Sequence, residues 1–120
     1  TNTDVGKLAK FALAQTRFDD GKYDEAATLY QELIALPDAV VAKETINFQL
    51  AKTYEKQSKT KEAADLYFTI AKTAAEAKDS DGKPVPMGET ANEAKEKLTA
   101  LDAERAKEIV VPTPESPFGN

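Results

Sequence analysis

Cysteine, histidine and tryptophan are all missing from the 120 residues. Without cysteine there is no disulfide, no thiolate nucleophile and no cysteine-based metal site. Without histidine the chain lacks the commonest general base, the commonest transition-metal ligand and the usual switch near neutral pH. Long apolar runs are missing too: nothing approaches the roughly eighteen apolar residues that a transmembrane helix requires. No signal-peptide pattern opens the chain. It begins on Thr1 rather than Met, so it reads as a processed or truncated piece that a signal, an anchor or a further domain could precede. Basic charge is in deficit, 16 Lys and Arg against 21 Asp and Glu, for a net charge of −5. The lysines are interleaved with acids, as on a solvated helix face, so the clustered cations that nucleic acid or an anionic membrane demands are not there. A cysteine-free chain suits the cytoplasm and an oxidising compartment equally, which leaves the localisation open.

What the chain does have is an internal repeat. Displaced by 37 residues, Phe11, Leu13, Ala14 and Thr16 meet Phe48, Leu50, Ala51 and Thr53. Further on, Lys22, Glu25, Ala26, Ala27, Leu29 and Tyr30 meet Lys59, Glu62, Ala63, Ala64, Leu66 and Tyr67. Each unit carries two apolar stripes at helical spacing. Val5, Leu8, Phe11, Ala12 and Phe18 mark a first helix, and Gly21 punctuates it. Tyr23, Ala26, Ala27, Tyr30, Leu33 and Ile34 mark a second, which Pro37 ends because proline cannot continue a helix interior. Asp38 can cap the next helix, expected over Ala39 to Lys56 with Ile46, Leu50, Ala51 and Tyr54 facing inward. After a break at Ser58 to Thr60, a fourth helix over Lys61 to Ala77 carries Ala63, Leu66, Tyr67, Ile70 and Ala71.

The remaining segments divide by composition. DSDGKPVPMG is a loop, within a linker expected over 78–88, and a fifth helix is expected from Glu89 to Lys107 on Ala91, Ala94, Leu98 and Leu101. The proline-rich end, 108–120, reads as an extended or disordered tail. The domain body is therefore set at 1–107, with units at about 5–37 and 42–77 and a capping helix at 89–107. Alanines at matching places (Ala14, Ala26, Ala51, Ala63) let helices approach closely, while Tyr30 and Tyr67 fill the space beside the contact. A helix pair of this kind cannot bury its faces alone, so stacked pairs must share a continuous core.

These residues make the chain resemble the tetratricopeptide repeat family, whose unit is a helical hairpin of about 34 residues. The first unit matches with Leu13-Ala14, Gly21-Lys22-Tyr23, Ala26, Tyr30 and Pro37, and the second with Leu50-Ala51, Tyr54, Ala63 and Tyr67. A looser match, Glu93-Ala94 and Leu98, resembles the start of a third unit without its second helix. The departures are a period three residues longer, read as an extra turn around Asp38 to Lys43, and Ser58 and Thr60 in place of the glycine and tyrosine of the second unit. Lys10 and Asn47 replace the family's early tryptophan, and Arg17 stands where an aromatic is usual. The resemblance implies an all-α fold: a right-handed superhelix of stacked antiparallel hairpins, about two units plus a C-terminal cap. A looser likeness is to bacterial envelope repeat proteins such as the ancillary translocon subunit family. It would place the domain on the periplasmic side if an anchor precedes Thr1, and in the cytoplasm otherwise.

In this family the inner helices line a groove that holds an extended peptide or a partner's helix. Carried over by alignment, the groove residues are Phe11, Gln15 and Phe18 in the first unit, Phe48, Lys52 and Glu55 in the second, and Glu96 and Ala100 in the cap. Phe11 and Phe48, equivalent by the repeat, are expected side by side as anchors of large apolar area. Beside that stands the plainer reading of a phenylalanine at helical spacing as core, and of Lys52 and Glu55 as a solvated pair. The groove could also be filled by the chain's own tail, with Phe118 docked in it. The function this implies is binding of a protein or peptide. The alternative is a structural role in which the domain self-associates or packs on an upstream segment.

Other motifs dissolve on inspection. In Asp79-Ser80-Asp81-Gly82 the first position of a calcium loop would fall on Ala77 and its last on Gly88, so a plain Asp-Gly turn fits better. Gly82-Lys83 lacks the upstream glycine and the following Ser or Thr of a phosphate loop. Asp19-Asp20 and Asp24-Glu25 lie at a polar helix junction without the burial that acid–base work needs. No nucleophile–base constellation, metal site or cofactor is expected.

Overall fold

The computed structural model describes residues 4–37 and 41–110. Among the described residues six helices follow one another: α1 (Asp4–Asp19), α2 (Tyr23–Ala35), α3 (Lys43–Lys56), α4 (Thr60–Glu76), α5 (Glu89–Leu101) and α6 (Ala103–Ala106). From α1 to α6 each helix packs on the next, and α3 also touches α5 across the stack. The molecule measures 52 × 34 × 19 Å, and its thinnest dimension is close to two helix diameters, as two layers of helices require. The all-α, tetratricopeptide-like helical repeat expected from the sequence is therefore the fold.

The two hairpins are built alike down to the hydrogen bond. At the end of α1 the Lys22 N–H reaches the Arg17 carbonyl (2.8 Å) and the Gly21 N–H reaches that of Phe18 (3.0 Å). At the end of α3 Lys59 donates to Tyr54 (2.8 Å) and Ser58 to Glu55 (3.0 Å). Both are Schellman closures, which satisfy the last carbonyls of a helix and need a left-handed residue between them. Gly21 takes that residue's place at φ +79°, and Ser58 takes it at φ +64°. A Cβ in that region costs about 1 kcal/mol, so Ser58→Gly is expected to raise stability by about that much and Gly21→Ser to lower it similarly, read from urea midpoints at constant m.

Two clusters make the core. One joins Ala14, Ala26, Tyr30 and Leu33 to Ile46 and Leu50. The other runs from Phe48, Ala51, Ala63 and Tyr67 through Ile70 to Ala91, Ala94 and Leu98. Tyr54 and Leu66 pack against both, so the core is continuous through the stack. The four matched alanines are fully buried, as close helix approach requires.

Several expectations are corrected. Val5, Leu8 and Ala12 face outward on α1, and its inward contact is made by Ala14 with Phe11 and Phe18 partly covered. The third helix starts at Lys43, not Ala39; Ala42 is extended (ψ 136°). α2 ends at Ala35 and α3 begins at Lys43, so the longer period falls between these two helices. The Lys43 ammonium donates to the Ile34 carbonyl (2.9 Å) and ties the link to the end of α2. The cap expected of Asp38 lies outside the described residues. The fifth helix breaks at Asp102, whose carboxylate accepts from the Arg105 N–H (3.1 Å) and starts α6. The packed body also reaches past the boundary set at residue 107, because Ile109 is buried against the second cluster. In the linker, the Asp79 carboxylate accepts from the N–H groups of Asp81 (2.8 Å) and Lys83 (3.0 Å), and Gly82 has φ +78°. Those bonds make it the Asp-Gly turn.

Candidate functional site

A groove of about 290 Å³ opens between α1 and α3, lined by Gln15, Phe18, Asp19, Tyr30, Gln49 and Lys52. Gln15, Phe18 and Asp19 share a face of α1 at i, i+3 and i+4, and Gln49 and Lys52 share one of α3 at i, i+3. The Lys52 ammonium bridges the two walls, 5.9 Å from the Phe18 ring centre and 5.7 Å from that of Phe48. Cation–π contacts of this kind are worth about 0.5–1 kcal/mol where exposed. Phe18 also sits edge-on to Tyr23, with ring centres 5.3 Å apart.

Of the residues named from the sequence, Gln15, Phe18 and Lys52 meet in this groove. The phenylalanine pair does not form. Phe11 stands edge-on to Tyr30 (5.9 Å, 64°) and Phe48 to Tyr67 (5.7 Å, 63°), each within its own unit. Phe11 is half-buried and Phe48 is only 7% exposed, so Phe48 serves the core. Glu55 does not project freely or pair with Lys52; it accepts a hydrogen bond from the Tyr67 hydroxyl. Glu96 and Ala100 are exposed on α5, away from the groove lining. Phe118 lies outside the described residues.

Sequence reasoning missed Tyr30 as a site residue. Both repeat tyrosines are fully buried, yet only Tyr67 has a partner; the Tyr30 hydroxyl makes no hydrogen bond. The reason lies in the repeat: position 55 is a glutamate in the second unit, and its equivalent in the first is Phe18. That substitution was visible in the 37-residue alignment, although its consequence depends on where the two phenols point.

Burial pushes the Tyr30 phenol up to about 12 from its ordinary 10.0, with the charge of Asp19 adding to it. Tyr67 is raised further by burial, by its bond to Glu55 and by the charges of Glu55 and Glu93. Both folded-state values lie above the unfolded one, so their contribution is complete below pH 10 and is lost as pH climbs. Stability is expected to fall between pH 10 and 12 by up to about 1.4 kcal/mol per pH unit for each tyrosine. Urea midpoints that stay level across that interval would contradict the burial of these phenols.

A family model described as tetratricopeptide repeat matches residues 9–40, which span most of α1, all of α2 and the start of the link. No curated protein and no solved structure matches the chain. The match is to the repeat and carries no envelope subgroup. The chain is thus similar to tetratricopeptide-repeat proteins, by sequence in its first unit and by helical-repeat fold through its described body.

Proposed function

We propose that the domain is a protein-interaction module that holds a peptide or helix of a partner protein in the groove between α1 and α3. One observation supports this above the others: the half-covered Phe18 ring stands in a groove flanked by the amides of Gln15 and Gln49 and the ammonium of Lys52. An aromatic anchor ringed by adaptable donors is what interface hot spots are made of. Similarity to a repeat family that works through protein partners, generally without catalysis, points the same way. The binding residues are Gln15, Phe18 and Lys52 with Gln49, while Phe11, Phe48 and Glu55 hold the groove walls in place. Selection of a displayed random-peptide library tests the reading. Convergent peptides are expected on the wild type and not on a Gln15→Arg/Lys52→Glu variant of unchanged helicity. Equal enrichment on both would sink the groove.

Self-association is the second reading, and Val5 (78% exposed) and Leu8 (48%) on the outer face of α1 favour it. Such residues would be covered if a second copy or another segment packed there. Sedimentation mass that rises with concentration, and reverts in Leu8→Glu, would support it; a strict monomer would remove it.

A further inference from the structure

The two units solve the same problem differently. In the second, the buried Tyr67 phenol donates to the carboxylate of Glu55. In the first, Phe18 occupies the equivalent position, and the Tyr30 hydroxyl is left buried without an acceptor. Buried hydroxyls are rarely left so, because the desolvation of an unpaired donor is not recovered. Tyr30 lines the groove beside Gln15, Phe18 and Asp19 of α1, and the charge of Asp19 acts on its phenol. On the facing wall, Lys52 has two aromatic rings as neighbours and no carboxylate within salt-bridge reach among the described residues.

We propose, resting on the groove reading above, that the bound peptide supplies a Glu or Asp side chain whose carboxylate accepts from Tyr30 and faces Lys52, filling in the first unit the place that Glu55 fills in the second. Of the common side-chain groups, a carboxylate is the one that both accepts from an orphaned phenol and neutralises an unpaired ammonium. Asp19 opposes it from the rim. That residue is exposed and solvent-screened, and the phenol, raised above its ordinary value first by burial and then by the Asp19 charge, stays protonated and therefore a donor. Gln15, Gln49 and Lys52 line the groove together with Tyr30, and these long side chains can turn aside as the peptide enters.

The test uses the peptide most enriched on the wild-type domain, synthesised with its acidic residue as found and with the matching amide (Gln for Glu, Asn for Asp). The acid peptide is expected to bind about tenfold more tightly than the amide peptide. Tyr30→Phe should erase most of that difference while the melting temperature holds or rises. Phe18→Glu should supply the acceptor internally, raise the melting temperature and abolish binding of the acid peptide. An enriched peptide with no acid, one that needs only its free C-terminal carboxylate, or one whose acid-to-amide change alters Kd less than about twofold would overturn the proposal while the groove reading stands. No enrichment on a folded domain would overturn both.

Discussion

Phe48→Ala is expected to lose about 3–5 kcal/mol of stability, the cost of emptying a fully packed phenylalanine site. The ring is 7% exposed, edge-on to Tyr67, and shares its cluster with Ala51, Ala63 and Ile70 on two helices. Phe11→Ala, at the equivalent but half-buried position, should lose only about 1–2 kcal/mol. Together they approach the whole stability of a domain this size, about 5–15 kcal/mol. Loss of partner binding in the double variant would therefore report unfolding, not removal of anchors. Guanidinium titration of the two single variants checks this, and equal small losses at both sites would show that Phe48 is not core.

Tyr67→Phe and Tyr30→Phe, the same change at equivalent positions, are expected to move stability in opposite directions. Removing the Tyr67 hydroxyl deletes a hydrogen bond to the charged Glu55 carboxylate, worth about 1.5–3 kcal/mol. Removing the Tyr30 hydroxyl deletes only a buried donor that has no acceptor, so stability should hold or rise by about 1 kcal/mol. Both rings keep their edge-on phenylalanines, so packing is matched in the two variants. The sign of the difference in melting temperature is the readout. Equal losses would mean that Tyr30 has a partner after all.

The fold was legible in the sequence because it is carried by pattern. The 37-residue displacement, the matched alanines and tyrosines and Gly21 are local signals, and they mark the hairpins and their stacking. The site was less legible, since it depends on which way a side chain turns. Gln15, Phe18 and Lys52 could be placed in one groove only because the family resemblance, carried over by alignment, puts them on inner helices. Phe11 and Phe48 could not be told from core, because an aromatic at helical spacing satisfies either role and only its burial decides. Glu55 looked like a surface charge near Lys52, but a buried phenol within reach took its carboxylate. The extra three residues of the period had no pattern of their own, and the extended Ala42 delays α3 to Lys43.

The most direct test of the groove is backbone amide shift mapping of the domain titrated with an enriched peptide. Perturbations centred on Gln15, Phe18, Tyr30, Gln49 and Lys52 are expected, with Val5 and Leu8 unmoved. Shifts gathered instead on Val5, Leu8 and the outer face of α1 would contradict the groove assignment and make that face the interface.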